Sequence, residues 1–362
     1  MSEQQPAVSV IIPCRNERGR IEECLRFVLA QEEPQGGFEV IVADGMSDDG
    51  TRDVLERLTQ ADRRLRVIDN PGRIVSTGLN AAIRIAKAAV IVRMDAHTEY
   101  AADYIRQCVA VLEETGADIA GGPWVAKGEG YVSRAIAAAF QSPFSAGGAR
   151  GHDPGHEGRV DIVYLGCWRR EVFDRIGCFD EELVRNQDDE HNLRLTRAGG
   201  RIWQSPRIRS WYKPRGSLSA LFCQYLQYGY WKVRVIRKHK LLASWRHLVP
   251  AMFVFWALAG WMSFLIHPWL GAAYVTVLGT YALLTLLFSV QASARCGAGL
   301  LPLLPFVFLV YHVGYGSGFL LGLLDFVLLR RSGRASMGAL TRAAASSEST
   351  GATPASAEGD WK

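Results

Sequence analysis

The chain has 362 residues and a formal net charge of +5, long enough for a globular domain of about 200 to 250 residues with further structure attached. Six of its basic residues lie between Lys232 and Arg246, directly before a long apolar region, a placement that favours anionic lipid and argues against nucleic acid as a partner. The seven cysteines contain no CxxC pair, which excludes a zinc ribbon or dithiol redox motif and leaves them as packing residues in a reduced compartment.

The opening residues MSEQQPAV lack the charged, apolar and small-residue order of a secretory signal, so the large domain is expected in the cytoplasm. The β-branched runs VSVII (8–12), FEVIVA (38–43), LRVI (65–68) and AVIVRM (89–94) predict strands. Apolar residues at helical spacing separate them: Ile21, Leu25 and Val28, then Val54, Leu55 and Leu58, then Leu79, Ala82 and Ile83. This alternation predicts an α/β domain with a mostly parallel sheet and helices on both faces, whose ligands bind beyond the carboxyl ends of the strands. Residues 13–17 (PCRNE), 43–51 (ADGMSDDGT) and 94–100 (MDAHTEY) fall at that edge.

The Gly-rich segment 140–159 reads as a mobile loop, followed by strand-like VDIVYLG (160–166), a helix opened by QDDE (187–190) and a strand RIWQ (201–204). Between 248 and 329 the only acidic or basic side chains are Arg295 and Asp325. Segments 248–266 and 269–290 are each long enough for a bilayer of about 30 Å. Segment 300–329 would reach about 45 Å as one helix, although Pro302, Pro305 and the run GYGSG (314–318) are candidate breaks; one long, tilted or kinked helix is preferred. Three crossings would put Arg330, Arg331 and Arg334 outside, against the positive-inside rule. The domains expected are thus a globular unit over 1–230, a basic juxtamembrane helix over 231–247, a membrane region over 248–331, and a tail over 332–362 too poor in large apolar residues to be ordered.

Asp95 and His97, two residues apart in extended chain, would point to one side about 6 to 7 Å apart. They could grip a divalent cation, with the imidazole favouring Mn²⁺ over Mg²⁺, or form a solvated turn with a capping Asp. Asp44, with Gly45 and Gly50 for a tight turn, is delivered to the ligand edge or belongs to an Asp-Gly turn before a helix cap at Ser47 or Asp48. Crowding Asp188, Asp189 and Glu190 at a helix start either complements the dipole or tunes a general base. No Gly-rich loop followed by Lys-Ser or Lys-Thr is present, which argues against a P-loop.

Together the motifs SVIIPCRNE, VIVADGMSDDGT, RMDAH, IGCFDEE, NQDDEHNLRLTRAGGRIW and QYGYW resemble glycosyltransferase family 2, the inverting enzymes of GT-A fold, over nearly all of residues 7–247. RMDAHTEY and NQDDE look most like bacterial exopolysaccharide glucosyltransferases of the succinoglycan type. The resemblance implies that Pro13, Arg15, Glu17 and Asp44 hold the nucleoside of a nucleotide sugar such as UDP-glucose. It implies that Asp95 is the first acid of the metal motif DxD, touching donor and cation, with His97 in the second acid's place, and that Asp188 is the catalytic base, with Gln187 before it. Gln227 and Trp231 resemble an acceptor-binding QxxRW motif with Tyr230 in the Arg position; Trp231 would stack on a sugar or anchor the chain at the interface. A lipid-linked acceptor and a place in the bacterial cell membrane follow from the same resemblance. The alternatives are a polyprenyl-phosphate glycosyltransferase, whose phosphate acceptor needs no strong base, and a catalytically silent scaffold of a glycan export assembly.

Overall fold

The computed structural model describes residues 5–241, 244–334 and 336–338. Strands β1 (Val8–Cys14), β2 (Phe38–Asp44), β3 (Leu65–Asp69) and β4 (Val90–Arg93) form the parallel half of an eight-stranded sheet. A small sheet contains β5 (Thr98–Tyr100), β7 (Val125–Ala126) and β11 (Ser210–Tyr212). The large sheet is completed by β6 (Ile119–Gly122), β8 (Gly158–Arg159), β9 (Tyr164–Arg169) and β10 (Ile202–Gln204), in the order β3-β2-β1-β4-β9-β6-β10-β8. Strand β9 runs antiparallel between β4 and β6, so the sheet is mixed and mostly parallel. The segment 160–166 becomes a strand only from Tyr164.

Alternation decides which side chains meet which helices. Val8, Val10 and Ile12 of β1 face one layer, with α1 (Ile21–Leu29), α2 (Thr51–Ala61) and α4 (Tyr104–Thr115). Ile11 faces the other, with α3 (Val75–Ile85), α7 (Glu171–Ile176) and α8 (Gln187–Arg197). Successive strand residues point to opposite faces, so a buried parallel strand must be apolar on both. Each fully buried Ile or Leu contributes about 1.5 to 3 kcal/mol by leaving water. Between β7 and β8 the chain forms α5 (Tyr131–Phe140), and the Gly-rich segment that follows contains the short α6 (Pro143–Ala146) and a turn at Arg150–His152.

After β11 the chain enters α9 (Leu218–His239), then α10 (Val249–Ala259), which continues through a tight turn into α11 (Ser263–Ile266). Helices α12 (Pro268–Cys296) and α13 (Leu304–Gly322) follow, the latter ending in π-helical turns at Leu323–Leu328. Three stretches, Trp245–Ile266, Pro268–Cys296 and Leu304–Leu328, are long and apolar enough to cross a bilayer. Exposed Phe255, Leu258, Leu283 and Leu287 form the kind of apolar surface a soluble protein would not leave in water. The second stretch runs to Cys296, beyond the expected end at 290, with Arg295 in its last turn where a cation suits the helix dipole.

Segment 300–329 is one helix from Leu304 onward. Pro305 lies in its first turn, where no helical N–H is required, and the glycines do not break it. A side-chain carbon at Gly314 or Gly322 would meet the carbonyl oxygens of Phe222 at 3.2 Å and Tyr230 at 2.7 Å, and one at Gly318 would overlap that of Leu226, all in α9. The glycines therefore let two helix backbones touch. Gly318→Leu should separate α13 from α9 and lower the unfolding temperature; a variant with wild-type melting would refute this packing role.

The packing adds to two expectations. Three of the six cations of the basic run are matched within the protein: Lys232 pairs with Asp189 at 2.6 Å, Arg234 with Glu182 at 2.9 Å and Lys238 with Asp180 at 2.7 Å. These bonds tie α9 to the globular domain. The tail is not loose from Ser332, because Arg334 caps Asp325 through Nε at 2.5 Å, and Met337 is buried with Tyr230 and Trp231. The Asp325 carboxylate thereby matches one of the three arginines that opposed the positive-inside rule. Residues 339–362, also expected to be disordered, lie outside the described residues.

Candidate active site

The carboxyl ends of β1 and β2 carry two loops clasped together. Asn16, at φ 54°, donates its backbone N–H to Ser47 Oγ at 2.9 Å and its side-chain amide to Asp48 at 2.9 Å. Asp49 accepts from the backbone of Arg18 and from Thr51. A side-chain carbon on Gly45 would lie 3.0 Å from Cβ of Arg15, so Gly45 allows that arginine to cross the loop. Pro13, Arg15 and Glu17 line a large cavity.

Asp44, expected to contact the nucleoside, is not among the residues that line it. It is 0 % exposed, and its oxygens accept from the hydroxyl of Ser47 at 2.5 Å and the backbone N–H of Ser47 at 3.1 Å. Asp44 shapes the 44–51 turn.

Strand β4 ends on Arg93, which is 5 % exposed. Its Nε and Nη2 donate to the two oxygens of Asp95 at 2.9 and 3.0 Å, and its Nη1 donates to Asp188 Oδ1 at 2.6 Å. One guanidinium thus joins the strand-end acid to the first turn of α8. Burial would lower the Arg93 pKa, but Asp188 and Asp95 outweigh it and raise it. Burial opposes ionisation of Asp95; Arg93 overcomes it and holds that carboxyl below its ordinary range, helped by His97. Asp188 is raised, chiefly by burial, with Asp95 and Asp189 adding to the effect against Arg93. Its Oδ2 has no partner among the described residues.

The small sheet holds the other side of the turn. Tyr100 receives a hydrogen bond from the Asp95 backbone N–H at 2.6 Å, and pairing of β5 with β11 brings His97 to the ring of Tyr212 at 6.2 Å between centroids. Burial lowers the pKa of His97 to about 4 despite the opposing pull of Asp95, so its imidazole is neutral at pH 7. Its ring makes no hydrogen bond among the described residues.

Comparison with known proteins decides the family. Residues 9–177 match the model for glycosyl transferase family 2. The succinoglycan biosynthesis protein ExoA of Rhizobium meliloti is 31% identical over 326 residues, covering 88% of this chain and 95% of that protein. The chain belongs to glycosyltransferase family 2. A dolichyl N-acetyl-alpha-D-glucosaminyl phosphate 3-beta-D-2,3-diacetamido-2,3-dideoxy-beta-D-glucuronosyltransferase of Methanococcus voltae is 25% identical over 88% of this chain and 97% of its own length. The fold is shared with the mannosyltransferase PcManGT of Pyrobaculum calidifontis, described in complex with GDP-Man and Mn2+, at a TM-score of 0.56 and 19% identity over 88% of each chain.

For a family 2 glycosyltransferase, the donor set suits a cation shared with substrate. No group of three or more His, Cys, Asp or Glu is gathered among the described residues, so Asp95 and His97 have no third such side chain beside them. A carboxylate oxygen has lone pairs beyond the one facing Arg93, and the neutral imidazole of His97 is in the state that ligation requires. A Mg²⁺-like or Mn²⁺-like ion held there would draw its remaining ligands from substrate oxygens and water.

The two residues of QYGYW expected to touch the acceptor lie under the surface of α9. Gln227 and Trp231 are 1 % and 5 % exposed and do not line the cavity; Trp231 packs on Tyr230 and Phe326. The cavity face of α9 carries Gln224, Tyr228 and Lys232, at the i, i+4 spacing of one helix side. Two arginines escaped the sequence reading. Arg93 left one signal, a charge closing an otherwise apolar strand, which demands buried acids as partners. Arg185 left none: it donates to Gln227 at 3.3 Å, lies 5.9 Å from the centroid of the Tyr228 ring and pairs with no carboxylate among the described residues.

Proposed function

We propose that this glycosyltransferase of glycan biosynthesis moves a hexose from a nucleotide sugar, UDP-glucose or a close relative, to a hydroxyl of a lipid-linked saccharide, with inversion at the anomeric carbon. The observation that carries this reading is the bridge of Asp95 and Asp188 by Arg93 on the cavity wall. It puts a donor-side acid and a base on one rigid support. The relative from Methanococcus voltae, named for a dolichyl-linked sugar phosphate, supports a sugar hydroxyl on a lipid carrier over a bare phosphate as acceptor. The helices Trp245–Ile266, Pro268–Cys296 and Leu304–Leu328 suit a bacterial cell membrane with the sheet on its cytoplasmic side.

Donor binding falls to Pro13, Arg15 and Glu17, with Arg185 as an unmatched cation for the diphosphate. Asp188 Oδ1 is fixed by Arg93, which leaves Oδ2 to take the proton of the acceptor hydroxyl. The acceptor hydroxyl oxygen attacks the anomeric carbon as the bond to the diphosphate breaks, and a single displacement inverts the centre. Asp95 and His97 would hold the divalent cation, which when bound neutralises charge on the departing diphosphate. A panel of nucleotide sugars offered to purified protein with Mn²⁺ tests the reading, and absence of both transfer and hydrolysis for all of them would overturn it.

Two expected results belong here. Activity should need Mn²⁺ or Mg²⁺ and be lost on chelation and in Asp95→Ala, whereas His97→Asp should keep activity and shift the preference between the two ions. Full turnover in excess chelator would remove the cation from the site. The second concerns Glu17, whose pKa burial pushes up to about 7, against Arg20 and Arg215. Because the folded value lies above the ordinary ~4.3, protonated Glu17 favours the fold at low pH and that contribution is lost as pH rises towards 7. Donor affinity should follow the same sign, weakening from pH 6 to 8 by roughly fivefold, the effect of about 1 kcal/mol of charge repulsion. Calorimetric titration of Glu17→Gln should give a flat profile; the wild-type slope retained in the variant would refute it.

A further inference from the structure

The cavity does not end at the globular domain. From Asp188 and Tyr228 its wall passes Lys232, Arg246 and His247, then continues along Phe253 of α10 and Val277, Tyr281, Leu284 and Phe288 of α12. Its volume is about 2450 Å³, against roughly 300 to 1,000 Å³ for a site that takes one small ligand. The α12 residues fall at the spacing of a single helix face. Val277 and Leu284 are nevertheless 42% and 37% exposed, and Val249 at the start of α10, also on the wall, is 46% exposed. These exposed wall residues belong to the apolar helices α10 and α12, between which the entrance proposed below lies.

The passage narrows chemically at the junction of its two halves. Lys232, Arg246 and His247 stand where the polar wall becomes apolar. Two buried atoms on this wall, His247 Nδ1 and the hydroxyl of Tyr315, have no partner among the described residues. Buried polar atoms in native proteins are otherwise nearly always bonded.

We propose that the entrance between α10 and α12 receives the hydrocarbon chain of the acceptor's lipid carrier, and that Arg246, with the His247 imidazole next to it in the chain, holds the phosphate joining that chain to its sugar. This rests on the transfer reading given above. An apolar opening calls for a hydrocarbon chain, the basic neck calls for an anion, and the continuous path to Asp188 calls for a sugar beyond that anion. A bulk phospholipid would match the first two features and bring nothing to the acids.

The test uses the full chain in lipid nanodiscs and a photoreactive long-chain isoprenyl diphosphate, with the corresponding isoprenyl alcohol as a second probe. Labelling should fall on α10 and α12 and be competed by unmodified isoprenyl diphosphate. Val277→Trp with Leu284→Trp should fill the entrance and cut labelling and transfer about tenfold, a loss of about 1.4 kcal/mol. Leu283→Trp, on the outer side of α12 and 67% exposed, should label as wild type. Arg246→Ala should weaken labelling by the diphosphate and leave that by the alcohol unchanged. Labelling on the outer face, or equal labelling in the filled variant, would overturn the entrance; equal losses for both probes in Arg246→Ala would overturn the neck. Nucleotide-sugar binding, measured separately by calorimetry, distinguishes the two readings. Without it the transfer reading fails while the groove stands; with transfer intact and labelling elsewhere, the groove alone fails.

Discussion

Asp188→Asn is expected to keep donor affinity within a few fold and to lower the transfer rate about 10² to 10⁴-fold, the usual worth of a general base, or roughly 3 to 5 kcal/mol of barrier. The amide preserves size and accepts the Arg93 hydrogen bond through its oxygen, but it cannot take a proton. The raised pKa of Asp188, with burial as its main cause, brings its basicity closer to neutral pH than that of an exposed aspartate. Asp189 is the internal control. Its carboxylate faces Lys232 at 2.6 Å, so Asp189→Asn should unfasten α8 from α9, lower thermal stability and spare most of the chemistry. Donor dissociation constants and single-turnover rates for the two variants check this. An inactive Asp189→Asn beside an active Asp188→Asn would move the base by one residue; activity in both would end the base assignment.

Arg93→Met should be the most damaging single change outside the acids themselves. It leaves the buried Asp95 and the partly exposed Asp188 without their shared cation; removing one partner of a buried ion pair costs about 3 to 5 kcal/mol, and water reaching Asp188 lowers that figure. The pH dependence carries a sign that a packing defect would not produce. In the native protein Asp95 is held below its ordinary pKa with the help of Arg93, so its contribution is present above about pH 3.9 and is lost as pH falls through the lowered value. Without Arg93, burial and mutual repulsion push both acids up, and stability should fall as pH rises from about 4. Arg93→Lys keeps one charge but cannot span three carboxylate oxygens in a plane, and should retain part of the stability with little transfer. Melting curves from pH 4 to 8 decide the matter: a uniform offset at all pH values would reduce Arg93 to a space-filling role.

Much of this molecule is legible without coordinates. The strands announce themselves because a sheet buried on both faces requires continuous β-branched runs such as VSVII and FEVIVA. The three long apolar helices follow from the near absence of charge between 248 and 329, since hydrocarbon tolerates little else. The order of motifs carries the family, and with it the nomination of Asp95 and Asp188. These signals are local: each repeats within a few residues and needs no knowledge of what lies across the fold.

Tertiary structure alone decided the pairings. Arg93 and Asp188 meet across 95 residues, and no local pattern states which buried acid a buried arginine will choose. Asp44 looked like a ligand-edge acid because it ends a strand, yet the Ser47 hydroxyl and N–H, three residues on, claim its oxygens. Helix α9 carries aromatic residues all round, so periodicity could not say whether Gln227 and Trp231 or Gln224 and Tyr228 face the cavity; the close glycine contact with α13 fixed its rotation. The basic run read as lipid-seeking because charge counting cannot see Asp180, Glu182 and Asp189 arriving from another part of the chain. Composition and period follow from the surroundings that a segment must enter, whereas the partner of each charge follows from packing that brings distant segments together.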